Sequence, residues 1–346
     1  MREAMLYARL EGQRVRCELC AHGCVIATGQ RGICAVRENR DGTLYSLVYG
    51  QIISRAADPI EKKPLAHFYP GSTAYSIATV GCNLRCTFCQ NADISQMPRD
   101  QGQIAGRATA PEDVVAAAQA YGCRSIAYTY TEPTVSFEYS YDVMRLARAA
   151  GLANVYVTNG FMSAAMLDLA TSPTEPPLMD AANVDLKAFR EAFYRDQCGA
   201  RLQPVLDSLK RMKQRRVWLE VTTLIIPGLN DSDAELGDIA RFIASDLGAD
   251  TPWHVSRFHP MYRLLDRPPT PAETVLRARQ IGLEAGLRYV YVGNLPNSAA
   301  DGAAADTHCP ACGRVVIARQ GYAILRRHLR AGACVHCGAP VDGVGL

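Results

Sequence analysis

The sequence predicts an α/β fold built on a parallel, barrel-type sheet, with a small cysteine-rich module before it and a zinc ribbon after it. Three observations carry this expectation. From Tyr75 onward, short runs of β-type composition alternate with amphipathic helical stretches, the pattern of a parallel sheet covered by helices. Polar or glycine residues follow each of those runs, and parallel barrels gather their chemistry at the carboxyl ends of strands. Eleven of the 13 cysteines fall in three tight groups, at 17–34, 82–89 and 309–337. Such grouping fits metal binding better than disulfides.

Composition sets the outer bounds. A chain of 346 residues holds one barrel of about 250 residues plus accessories. Hydrophobic content of 48% and charged content of 21% describe an ordinary globular protein. A net charge of +3 is too small to point to nucleic acid or an anionic membrane. No apolar run approaches the roughly 20 residues that span a bilayer, and the first residues lack a signal-peptide core. The expected compartment is a reducing cytoplasm, with no membrane partner and no nucleic acid. The expected boundaries are a cysteine-rich module over 1–70, a barrel over 71–295, a linker over 296–307 and a ribbon over 308–346.

In chain order, the first metal candidate is Cys17, Cys20, Cys24 and Cys34, four thiols within eighteen residues. Glycines at 23, 29 and 32 permit the tight turns that a tetrahedral thiolate site needs. A structural zinc and a second iron–sulfur cluster both suit this set. Tyr45 to Ile53 reads as a strand of the same module, and Asp58 to Leu65 as a turn-rich connector. Strand candidates then follow at 75–80, 125–130, 154–158, 183–187, 217–226, 253–258 and 289–293. Helices are expected over 111–121, 137–150, 164–169, 202–215, 233–247 and 271–285, several with cap signals such as Ser232-Asp233.

The first strand candidate runs into Gly81-Cys82-Asn83-Leu84-Arg85-Cys86-Thr87-Phe88-Cys89. One loop thus offers three thiols to an iron–sulfur cube, which takes four ligands, and leaves one iron open. A structural zinc would need a fourth protein ligand nearby, and no cysteine follows before Cys123. The Cys-x3-Cys-x-aromatic-Cys spacing resembles the signature of radical S-adenosylmethionine (SAM) enzymes. That resemblance implies a partial (β/α)6-type TIM barrel and a [4Fe-4S] cluster held by Cys82, Cys86 and Cys89, with Phe88 beside the cofactor. It implies SAM on the open iron, cleaved by one electron to methionine and a 5′-deoxyadenosyl radical. A donor such as flavodoxin or ferredoxin is the implied partner.

The same resemblance assigns roles along the strand ends. Glu132, in Tyr130-Thr131-Glu132-Pro133, matches the carboxylate of the Gly-Gly-Glu-Pro motif that receives the SAM amino group, although Tyr130 and Thr131 replace its glycines. A helix N-terminal charge is the alternative for Glu132. Asp185-Leu186-Lys187 resembles the Asp-x-Lys strand of glycyl-radical-enzyme activases, where the pair contacts SAM. Alternation puts Asp185 and Lys187 on one face, and a buried ion pair is the alternative reading. Asn159 matches a position near SAM, His259 one near adenosine, and Thr223 opens a segment flanking adenine. Cys198 and Lys187 are further candidate catalytic groups, and Cys123 reads as a buried thiol.

The tail carries Cys309-x2-Cys312 and Cys334-x2-Cys337, the spacing of a zinc ribbon. Arg326, Arg327, His328 and Arg330 read as a solvated helix face, with an RNA contact as the alternative. The arrangement resembles the radical SAM component of the AmmeMemoRadiSam system, on the strength of Gly32 to Asn39, Asp58 to Pro64, Thr79 to Asn83 and the ribbon. The expected activity is hydrogen abstraction from an unidentified small molecule or protein. A metal-stabilised RNA- or protein-binding module with a degenerate barrel is the rival, and a radical RNA-modifying enzyme a third reading.

Overall fold

The computed structural model describes residues 1–171, 177–295 and 304–346. Its centre is an eight-stranded sheet whose strands lie in sequence order. These are β1 (Ser54–Pro59), β2 (Thr73–Ala78), β3 (Ser125–Tyr128), β4 (Ala153–Thr158), β5 (Ala181–Asp185), β6 (Trp218–Ile225), β7 (Trp253–Arg257) and β8 (Val290–Gly293). Strands β2 to β8 are parallel, and among the described residues no pairing joins β8 back to β1. Strand β3 is buried along its whole length, as expected where helices cover both faces of a parallel sheet. Helices α1 (Pro111–Ala120), α2 (Phe137–Ala149), α3 (Ala164–Ala170), α4 (Gln203–Gln214), α5 (Asp233–Phe242) and α6 (Ala272–Glu284) lie between successive strands. Ser163 and Ser232 cap α3 and α5 by accepting from the amides of Met166 and Glu235.

Strand β1 departs from expectation. It pairs antiparallel with β2, from Ser54 opposite Ala78 to Pro59 opposite Thr73, and its last two residues take up the start of the connector expected over Asp58 to Leu65. The central sheet therefore begins at Ser54, inside the stretch assigned to the first module. Ser-Arg-Ala-Ala-Asp-Pro contains no β-branched or aromatic residue, so pairing with β2 rather than intrinsic preference makes it a strand. Pro59, which cannot donate, is tolerated at the end of an edge strand.

Gln51–Ile52 pairs with Arg107–Ala108, and strands within the first 46 residues form two small antiparallel sheets. Arg37 fastens them to α2 by a bidentate bond to Glu138 at 2.9 and 2.8 Å, with both side chains 2% exposed. At the other end, strands Thr307–His308, Val315–Gln320 and Ala323–Arg327 make an antiparallel sheet. The basic residues Arg326 and Arg327 lie on its last strand and not on a helix; the tight turn at Gly321 and strand pairing override helical composition. This sheet docks on the central sheet and its connections through Arg319, which donates to the Ala66 carbonyl at 2.7 Å, and through Tyr291, which bonds Thr307 and His67. No helix among the described residues is long and apolar enough to cross a membrane.

Candidate active site

The carboxyl ends of the parallel strands open into one cavity of about 690 Å³. Each strand from β3 onward, together with the loop after β2, contributes to its wall, because every strand terminates on the same side of the sheet. Cys82, Cys86, Phe88 and Cys89 line it from the loop. Gly81 starts that loop at φ +104°, where an added Cβ would stand 2.6 Å from Val36 Cγ1 of the first module. Only glycine permits this approach. A π-helical turn at Tyr194–Cys198 holds the loop from behind: the amides of Arg85 and Thr87 donate to the carbonyls of Cys198 and Gln197 at 2.8 and 2.9 Å.

Glu132 is buried at the cavity edge and receives four hydrogen bonds. Its Oε1 accepts from the Thr134 amide, the Thr134 hydroxyl and the Thr158 hydroxyl, and its Oε2 accepts from the Asn159 amide at 2.8 Å. It caps the short helical turn at Pro133–Ser136, the alternative expected of it, and also lines the cavity. Burial raises its pKa against the pull of those donors. Oε2, with one bond, keeps acceptor capacity. Asn159 joins Glu132 to the loop, donating from Nδ2 to Asn83 Oδ1 at 2.8 Å and to Cys82 Sγ at 3.7 Å. Asp185 and Lys187 face the cavity together, 2.8 Å apart. Burial opposes the lysine charge, but Asp185, Cys86 and Cys198 hold its pKa well above the ordinary value.

Three expected residues lie off the wall. On β6 the cavity is lined by Thr222 and Leu224, while Thr223 points the other way, donating to the Leu186 carbonyl and accepting from Trp253 Nε1. Strand alternation demands this once Thr222 faces inward. His259 lies beyond β7 and is exposed; His254 and Ser256 of that strand line the cavity instead. Cys198 is fully buried behind the loop. Burial holds its pKa well above the ordinary thiol value, while its nearness lowers that of Cys86.

Tyr130 and Thr131, which replace the glycines before Glu132, also stand on the wall. Tyr130 adopts φ +66°, the backbone region a glycine would favour, and its hydroxyl bonds Asp58. Thr131 donates to the Thr79 carbonyl at 2.7 Å. These anchors let two side chains stand where the related motif has glycines, with Glu132 still on the cavity. Against its burial, Lys62, Lys63 and Tyr130 hold Asp58 well below the usual carboxylate range. Arg319 and Tyr322 reach the same cavity from the terminal sheet. Nothing local in their sequence signals this, since only the docking of the sheet brings them there.

The thiols differ in spacing. Cys309, Cys312, Cys334 and Cys337 lie within 4.8 Å of one another, with sulfur pairs at 3.6 and 3.8 Å. Four sulfurs at about 2.3 Å from one tetrahedral ion stand roughly 3.8 Å apart, so this set can hold a single metal ion. Among the described residues no other three thiols crowd so closely. The loop set Cys82, Cys86 and Cys89 surrounds a wider space, in keeping with a multi-iron cluster.

The model of the Radical SAM superfamily matches residues 76–243. An uncharacterized protein of Methanocaldococcus jannaschii is 44% identical over 344 residues, 99% of each chain. Among solved structures, a radical SAM methyltransferase from Sphaerobacter thermophilus aligns with TM-score 0.52 and 18% identity, over 72% of this chain and 71% of that one. SuiB of Streptococcus suis, bound to SAM, aligns with TM-score 0.51 and 10% identity, over 68% of this chain and 53% of that one. At these identities the likeness concerns the fold.

Proposed function

We propose that this chain, whose residues 76–243 match the model of the Radical SAM superfamily, is a hydrogen-abstracting enzyme of the activase-like branch, in which Cys82, Cys86 and Cys89 would hold a [4Fe-4S] cluster that takes SAM. Such a pair supplies one-electron cleavage of a sulfonium carbon–sulfur bond, and with it the means to remove hydrogen from an unactivated carbon. The observation that carries this reading is convergence: three thiols, Glu132, Asn159, Asp185 and Lys187, drawn from separate strand ends, line one cavity.

The protein's part is binding and orientation. Glu132 Oε2 receives an ammonium group, held in place by its bonds to Asn159, Thr134 and Thr158. Asn159 fixes the Cys82 sulfur while its amide holds Glu132, so the metal and amino-acid ends of the nucleotide are set relative to each other. Asp185 and Lys187 present paired charges to the same ligand, and Phe88 walls the cluster from water. A cavity of about 690 Å³ lies within the usual range for ligand sites, so a substrate enters as a small molecule or as a single extended chain segment. The electron comes from a flavodoxin- or ferredoxin-type partner, and the terminal sheet carries one zinc ion on Cys309, Cys312, Cys334 and Cys337.

Anaerobic reconstitution tests the reading. Dithionite and SAM should yield 5′-deoxyadenosine from the wild-type chain and none from Cys86→Ala. A cluster-replete wild-type sample that forms no such product would end this proposal.

A further inference from the structure

The cysteines of the first module lie against the cavity just described. Cys17, Cys20, Cys24 and Cys34 line one pocket, walled also by Arg37, Asn83, Thr134 and Val135. Two of those wall residues are continuous with the candidate active site. Asn83 follows Cys82 in the loop, and Thr134 belongs to the helical turn that Glu132 caps. A hydrogen bond of 2.8 Å between His22, which stands between Cys20 and Cys24, and the Asn83 carbonyl ties the two together.

Two further features bear on what the pocket holds. No three of its thiols come mutually within 4.8 Å, unlike the terminal set, although each is near the others in one enclosed space. A single tetrahedral ion holds sulfurs roughly 3.8 Å apart, a crowding the terminal set shows and this set does not, whereas a cube of iron and sulfide spreads its four thiolates over a larger volume. The second feature is Arg37. It is 1% exposed, its two terminal nitrogens are committed to Glu138, and its Nε has no partner. A buried N–H donor without an acceptor costs roughly 1–3 kcal/mol, and here it borders a pocket lined with sulfur. Inorganic sulfide or a coordinated cysteine thiolate would supply the missing acceptor.

We propose that Cys17, Cys20, Cys24 and Cys34 hold a second iron–sulfur cluster of the four-iron type, abutting the first across Asn83 and the Glu132 turn. Its complete set of protein ligands leaves no iron open to SAM, which makes it an auxiliary centre and not a second reaction site.

Metal content of the full chain, reconstituted anaerobically with ferrous iron and sulfide in the presence of zinc, decides the matter. Two four-iron clusters give about eight irons and, with the terminal site, about one zinc. About four irons with about two zincs overturns the proposal. The triple variant Cys82→Ala, Cys86→Ala, Cys89→Ala should retain about four irons and a reduced-cluster spin-resonance signal, since the second centre does not depend on the first. Loss of all iron from that variant, folded by circular dichroism, also overturns it. The variant Cys20→Ser with Cys34→Ser should lose the corresponding half while retaining the loop cluster. These readouts are independent of catalysis, so the cluster assignment stands or falls apart from the radical chemistry. If a variant does not fold, the iron-to-zinc ratio of the wild-type chain still decides.

Discussion

The two cysteine-rich ends of this molecule share a spacing and differ in almost everything else. Cys17 and Cys20 are separated by two residues, as are Cys309 and Cys312. At the carboxyl end, short antiparallel strands bring four sulfurs into the shell of one ion and leave Cys312 and Cys337 exposed. At the amino end, thiols are distributed around a pocket that the barrel helps to close, and an arginine is buried among them. A cysteine pair therefore does not define the geometry of its site. The backbone that returns the other two ligands does so, together with the neighbours that exclude water. The two ends also attach differently, the first through a bidentate buried ion pair and the second through Arg319 and a set of hydrogen bonds around His67 and Tyr291.

Breaking those attachments separates the two cases. The largest effect is expected from Glu138→Gln. It leaves the Arg37 charge buried without its partner, and loss of one member of such a pair costs about 3–5 kcal/mol, read by urea denaturation. A loss under about 1 kcal/mol would show that the first module is held mainly by apolar packing. At the other end the lever is acid. Burial depresses His67 to about 4 from its ordinary 6.5, while it bonds Asp342 and Tyr291. Its neutral form is favoured in the folded state, so its contribution is complete above pH 6.5 and is lost as pH falls toward 4. The difference corresponds to about 3 kcal/mol, and His67→Gln should flatten stability over that window.

Between the ends lies Glu132. Replacing its charge by Glu132→Gln should weaken SAM about 10- to 100-fold, the worth of a charge-assisted hydrogen bond of about 1.5–3 kcal/mol, measured by calorimetry. Unchanged affinity would reduce Glu132 to a cap of its helical turn. The smallest effect is expected from Arg326→Ala on the exposed terminal strand, within about 0.5 kcal/mol by the same denaturation assay. Arg37 and Arg326 then mark the extremes of what one arginine does in this protein.

Much of the site was legible. The loop thiols, Glu132, Asn159 and the Asp185–Lys187 pair were readable because each sits at a strand end whose period is local, and all reach one cavity. Thr223 lies off the wall because the strand is legible in the sequence but its inward face is not, and His259 because it follows β7 outside the sheet. At β7 the wall residue is His254, and its partner is Glu220 of β6, 34 positions away. Cys198 was expected near the mouth, and the π-helical turn rolls it behind the loop instead. Strand β1 carries no compositional signal at all.

The sequence by itself determined the alternation of strands and helices, the polar rim and the grouping of thiols, because these follow from periodicity and short-range spacing. Tertiary structure alone decided that Arg319 and Tyr322 reach the barrel's cavity and that Tyr130 accepts a glycine's backbone angle by bonding Asp58. It alone decided how far apart each set of sulfurs stands. Those outcomes depend on surfaces distant in the chain meeting at fixed separations, and no local pattern encodes a distance between segments that have yet to pack.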